Sequence, residues 1–443
     1  MSIIEKAFSL LEAHTLCDNC LGRQFALLGR GILNSDRGRA LKLSLTMHAS
    51  ALNLRKEPMG SKMLKILMVN GFSKEAEEVL RQSGKRIPKL QTKTCFLCGG
   101  KLHSIDSLIE KGIGVLSSYE YDSFLVGVEL PVSAEEREDE FRANFGVTFG
   151  ESIRHEFGRS LGKRFEERTR KCVDYRKPDV ALIINPFEET IRLQVNPVFV
   201  AGRYRKLVRD IPQSKWFCSS CRGRGCDKCR GTGKLYPDSV EEFVSKPLLE
   251  AAEGEKTAFH ASGREDIDAR MLGRGRPFVV EVSKPRKRAL DLARLAETIN
   301  EAAAGKVEIS NLRITTKDLV GILKRAECAQ KKYRVLVEFE QDLLEENLPL
   351  LERKLSGTLI RQQTPQRVLH RRADLTRERY IYNVKVRMVS PRRVEMQVRC
   401  QGGLYVKELV SGDDGRTIPS VSELLSNKAK TLKLDVLNVL LDD

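Results

Sequence analysis

Residues 259–273 read FHASGREDIDARMLG and run directly into RGRPFVVEV at 274–282. Five ionic side chains, Arg264, Glu265, Asp266, Asp268 and Arg270, lie between Gly263 and Gly273. Beyond them Phe278, Val280 and Val282 alternate with Val279 and Glu281, the period of a strand with one buried face. An acidic cluster at the mouth of an apolar strand, behind a glycine that frees the backbone, is a setting for a catalytic carboxylate. A solvated charged turn is the other reading of the same pattern.

Downstream, the pattern predicts alternating helices and strands. Ser239 and Glu242 are spaced as a capping box opening a helix through Leu249. A helix over 289–303 carries a stripe of Leu292, Leu295, Ala296 and Ile299, and a second is expected near 318–325. KKYRVLVEFE is a strand with Tyr333, Val335, Val337 and Phe339 on one face; a helical pattern follows at 341–355. A basic run holds Arg361, Arg367, Arg371, Arg372, Arg377 and Arg379 and leads into the strands YIYNVKVRMV and VEMQVRCQG. This order implies an α+β domain with a mixed, mainly antiparallel sheet and flanking helices.

Upstream, 443 residues allow about three domains, hence a multidomain chain. The balance of 77 basic to 60 acidic residues, net +17, is spread along the chain and points to a phosphate-rich partner. No apolar run is long enough for a membrane span. The first residues read as an amphipathic helix with Ile4, Phe8 and Leu11 on one face, not as a secretion signal. Helical patterns follow at 40–53 and 61–81.

Eight of the eleven cysteines form four C-x-x-C pairs. Thiolates at i and i+3 can face one Zn²⁺, which takes four ligands in a closed structural site. Cys17 and Cys20 are expected to share an ion with Cys95 and Cys98. The tandem units CSSCRGRG and CDKCRGTG place Cys218, Cys221, Cys226 and Cys229 around a second. Cys172, Cys328 and Cys400 are isolated core or neutral positions. Structural zinc in a reducing cytoplasm fits this usage better than disulfides. No Walker loop and no dinucleotide fingerprint entering a helix is present, so no organic cofactor is expected.

Between them, 103–216 shows short strands at 126–130, 179–186 and 190–200 and helices at 134–143 and 151–164. It ends in AGRYRKLVRDIPQSKW, where Arg203, Arg205, Lys206 and Arg209 surround Tyr204 and the only Trp, Trp216, closes the segment. Basic residues around aromatics suit phosphate contact and stacking on RNA.

Four segments resemble, in order, the THUMP-containing tRNA pseudouridine synthases of archaea and eukaryotes: VNPVFVAGRYRKL (195–207), GREDIDARMLGRGRPF (263–278), RVLHRRADLTRERY (367–380) and GLYVKELVSGDDGRTIPSVSELL (403–425). The first resembles the end of a THUMP domain, which holds the tRNA acceptor end; the tandem knuckles resemble those of archaeal members. The resemblance implies an N-terminal helical zinc module (1–102), a THUMP-like α/β domain (103–216), a zinc-knuckle linker (217–235) and a catalytic domain (236–443). It implies isomerisation of uridine to pseudouridine in the tRNA T-arm, at position 54, 55 or both, without a cofactor and with the base flipped out. Asp266 would be the nucleophile, or the base, that starts glycosidic cleavage. Arg264 would fill the space or hold the phosphate of the flipped nucleotide. Tyr333 would stack on uracil, with Tyr405 a second contact, and Lys407 would pair with Asp266 and keep it ionised. Arg371 and Arg372 join the RNA contacts. The alternative is a non-catalytic tRNA-binding adaptor. No dimer signature is apparent, so a monomer is expected.

Overall fold

The computed structural model describes residues 2–85, 87, 93–325 and 329–440. The chain divides into two compact units, Met1–Asn196 and Pro197–Asp443. No helix among the described residues is long and apolar enough to cross a membrane.

In the first unit, helix Ile3–Ala13 is closed by a capping box between Ser2 and Glu5 and buries Ala7, Leu10 and Leu11. The single helical pattern at 61–81 is two helices, Pro58–Asn70 and Lys74–Gln82. Gly71 ends the first, Phe72 takes a φ of +57°, and the Ser73 hydroxyl caps the second at Ala76 N. Phase alone could not show a break that leaves both segments on one apolar face. The four-stranded sheet has the order Cys172–Val173, Ser123–Val128, Val180–Asn185, Thr190–Val195, the first two pairings parallel and the last antiparallel. One hydrophobic cluster runs from Ala7 through Leu64 and Leu97 to Phe165 and Ile184, so the segments before and after residue 102 share a core.

The second unit is built on a ten-stranded sheet, antiparallel except where Ala429–Val439 meets Arg270–Ser283. Strand Val198–Lys206 pairs antiparallel with both Arg270–Ser283 and Val307–Thr315. The start of the segment expected to close the THUMP-like domain at 216, Val198–Lys206, therefore lies inside this sheet, and the units part at Asn196. Tyr333, Val335 and Val337 share the face predicted for them, the two valines wholly buried. Val279 departs from the alternation: it is as buried as Val280 because helix Lys317–Arg325 packs Val320 and Leu323 onto that side. Helices Val240–Ala252 and Leu292–Ala302 cover the other side. At the first of these, the Ser239 hydroxyl accepts from Glu242 N at 3.2 Å and donates to the Glu242 carboxylate at 2.8 Å. The helix expected from 341 begins at Asn347.

Candidate active site and metal centres

Strand Lys256–Ala261 pairs antiparallel with Arg270–Ser283, Ala261 opposite Phe278, and the intervening residues form a loop. Gly263 takes a φ of +74°, and a Cβ there would meet Lys331 Nζ at 3.0 Å. The two adjacent acids of the loop then face opposite ways. Glu265 points inward with no side-chain exposure, and Arg276 Nε donates to it at 2.9 Å. The Tyr204 hydroxyl lies 2.9 and 3.0 Å from its two oxygens, and Lys206 Nζ is 4.0 Å away. Gln213 Nε2 donates to Tyr204 Oη at 2.7 Å and to Gly263 O at 3.0 Å. Lys206 Nζ also donates to the carbonyls of Ile211, Asp266 and Ile267, at 2.8, 3.1 and 3.0 Å. Arg209 donates to Asp268 O at 2.7 Å.

For Tyr204 and Lys206 this arrangement corrects the expected RNA contact. Tyr204 and Lys206 are fully buried and hold the acidic loop from beneath. Burial pushes the Tyr204 hydroxyl well up, helped by the Glu265 charge, and pushes the Lys206 ammonium down against the pull of Glu265. Arg203 donates to the carbonyls of Arg274 and Gly275, and Arg205 pairs with Glu308. Arg209 and Arg270 meet at Asp435 with Arg334; burial raises that carboxyl, but the three arginines bring it down to about 2. A run of cations looks the same in sequence whether it faces phosphates or satisfies carbonyls and a buried acid.

Asp266 faces outward, its side chain 33% exposed. Arg367 Nη1 is 3.4 Å from Oδ1 and Nη2 3.2 Å from Oδ2; Lys407 Nζ is 3.3 Å from Oδ2. Lys407 sits in helix Val406–Ser411 and reaches Asp266, but lies closer to Asp268, at 2.7 and 2.8 Å. Arg367 Nε donates at 2.7 Å to Glu408, whose side chain is 6% exposed. Burial works to raise the Asp266 carboxyl, yet the charges of Arg367 and then Lys407 hold it below the usual carboxylate range. Tyr333 is half-buried; burial pushes its hydroxyl up, and Asp266 is among the charges that add to the effect. Gln362 grips the backbone of Tyr405, accepting from its N–H at 2.9 Å and donating to its carbonyl at 3.0 Å. The Tyr405 hydroxyl accepts from Arg372 at 3.4 Å. Arg264 is exposed, its guanidinium 5.2 Å from the centre of the Trp216 ring. The Arg371 side chain lies outside the described residues. An ionised, partly exposed carboxylate can attack carbon or accept a proton, but is not poised to donate one near neutral pH.

Sequence reasoning singled out Asp266, Tyr333, Tyr405 and Lys407 and missed the parts that hold them. Glu265 and Arg276 carried no separate signal, and Arg367 was one arginine among many. The one available hint was Glu408 directly beside Lys407.

The two cysteine sets each gather four sulfurs within 4.8 Å of one another. Cys17 and Cys98 sulfurs are 3.8 Å apart across the long sequence gap; in the tandem set Cys218–Cys226, Cys221–Cys229 and Cys226–Cys229 are 3.9, 3.8 and 3.7 Å apart. Metal–sulfur bonds of about 2.3 Å put tetrahedral sulfurs ~3.8 Å apart, so both sets can hold a metal ion. Backbone N–H groups of Gly225 and Gly233 donate to Cys221 and Cys229 sulfurs at 3.2 Å, as metal-bound thiolates require. Of the remaining cysteines, Cys400 is core and burial pushes its thiol up to about 12, Cys172 is exposed, and Cys328 lies outside the described residues.

The family model described as "Pus10, C-terminal" matches residues 199–440, and "Pus10 THUMP domain, archaeal" matches 109–185. Curated relatives named "tRNA pseudouridine synthase Pus10" align along nearly the whole chain. That of Methanocaldococcus jannaschii is 43% identical over 98% of this chain and 93% of its own. The one from Methanothrix thermoacetophila is 39% identical over 99% and 94%, and the one from Pyrococcus furiosus 38% over 99% and 98%.

Proposed function

The chain belongs to the Pus10 family and is a tRNA pseudouridine synthase, an isomerase; we propose that Asp266 starts its reaction, on uridines of the tRNA T-arm. The observation that carries this reading is the division of labour in the acidic loop. Glu265 is spent inside the fold, while Asp266 is held ionised and partly exposed beside Tyr333. The N1–C1′ bond breaks, the base turns, C5 bonds to C1′, and the C5 proton is lost as N1 gains one. Nothing is oxidised or reduced, so the residues at hand suffice without an organic cofactor. Asp266 attacks the nucleotide or removes a proton. Tyr333 stacks on the uracil, Tyr405 is a second contact, and Arg264 on Trp216 fills the gap left by the flipped base. Arg371 and Arg372 take RNA phosphates, and the THUMP segment takes the acceptor end.

Mapping by carbodiimide adducts and primer extension on an unmodified tRNA transcript tests the site of action. Product appears at position 54, 55 or both, and transcripts with cytidine at those positions give none. Product confined to another arm contradicts the T-arm reading.

Both cysteine sets hold zinc and are structural. Elemental analysis should find about two ions per chain, with Cys20→Ser and Cys226→Ser each losing one. Fewer than about one ion in the parent contradicts both assignments. Thiolates committed to metal in place of disulfides suit a reducing cytoplasm, and the enzyme acts as a monomer.

A further inference from the structure

We propose that Arg367, braced by the buried carboxylate of Glu408, is a positioning residue that keeps Asp266 ionised and oriented, a task Lys407 does not perform alone. The inference rests on the reading of Asp266 given above. The lysine expected to serve Asp266 is shared: its ammonium is 2.7 and 2.8 Å from the Asp268 oxygens but 3.3 Å from the nearer oxygen of Asp266. Asp268, 58% exposed, thus absorbs much of that charge. Arg367 instead spans both oxygens of Asp266, at 3.2 and 3.4 Å, which fixes the plane of the carboxylate as well as its charge.

Glu408 explains why that guanidinium stays in place. It lies at 6% exposure, one residue beyond Lys407, and takes the Arg367 Nε at 2.7 Å. The planar fork of an arginine can hold one carboxylate through Nε while its Nη atoms hold another; a lysine cannot. The remaining charged and titratable groups around Asp266 come from every neighbouring element. Lys206, Arg276 and Glu265 lie behind the loop and are committed to one another, and Tyr333 and Lys331 come from the Lys331–Phe339 strand. Among these, Arg367 is the group that couples the Arg-rich segment 361–379 to the reacting carboxylate.

The test is the single-turnover rate with saturating tRNA, measured from about pH 5 to pH 8 with folding checked by circular dichroism. Arg367→Gln is expected to lower the rate about tenfold or more at neutral pH and to add an acid limb. Between about pH 7 and pH 5 its rate falls several-fold further while the parent stays nearly flat, since losing a partner charge raises a carboxylate by about 1–3 pH units. Arg367→Lys keeps the charge and loses the fork, so its rate drops without the new limb. Glu408→Gln frees Arg367 from its brace and should lower the rate about three- to tenfold, again without that limb, because it removes a negative charge. A purely structural role predicts rate losses with one shared pH profile, and that result overturns the inference. Asp266→Asn runs alongside. If it remains active, the reading of Asp266 fails; if it is inactive while Arg367→Gln keeps the parental rate and profile, only the role of Arg367 fails.

Discussion

Arg276→Met is expected to lower the unfolding free energy of the second unit by about 3–5 kcal/mol, the cost of leaving a buried carboxylate without its partner. Glu265 has no side-chain exposure and Arg276 1%, and the guanidinium also donates to Ser262 O at 2.6 Å. Their mutual attraction does not make the pair stabilising against an apolar alternative, since both ions had to leave water. The double variant Glu265→Gln/Arg276→Met should therefore recover much of the loss. Denaturant unfolding of the four proteins, read as a double-mutant cycle, checks this. Additive losses would show that Glu265 is not dependent on Arg276. The pair does more than close the core. It holds the loop so that Asp266, one residue on, must face outward, and the double variant should regain stability without regaining activity.

Asp266→Asn should reduce the single-turnover rate by at least about 10³-fold, as loss of a reacting carboxylate does. tRNA affinity should change by no more than about threefold, since binding draws on many phosphate contacts. The variant should also fold. The loop is anchored through its backbone, by Lys206 on the carbonyls of Asp266 and Ile267 and by Arg209 on that of Asp268, none of which involves the Asp266 carboxylate. Filter binding and rate on one preparation separate the effects. A variant that binds normally and reacts within about tenfold of the parent would remove Asp266 from the chemistry.

Much of the site was legible in the sequence because it depends on local geometry. The turn glycine at 263 and the apolar strand behind it are short-range features, and both are found. The cysteine pairs at 17/20 and 95/98 were legible for a different reason: metal ligands must be completed, whatever the distance along the chain. What escaped depends on where a charge points. Asp266 and Glu265 are adjacent acids with opposite fates, decided by Tyr204 and Arg276 reaching one of them across the sheet. Lys206 and Arg209 read as phosphate ligands because nothing in a basic run records the carbonyls waiting for it. The boundary expected at 216 followed the resemblance of this segment to the end of a THUMP domain, whereas Val198–Lys206 is an interior strand between Arg270–Ser283 and Val307–Thr315.

The most direct measurement uses a tRNA transcript carrying tritium at C5 of its uridines, incubated with the zinc-replete protein and no organic cofactor. Because C5 must exchange its hydrogen for the bond to C1′, the account predicts release of about one to two tritium equivalents per tRNA, from the T-arm, by the parent and none by Asp266→Asn. Tight tRNA binding without tritium release from the parent, or release that survives the loss of the Asp266 carboxylate, would contradict it.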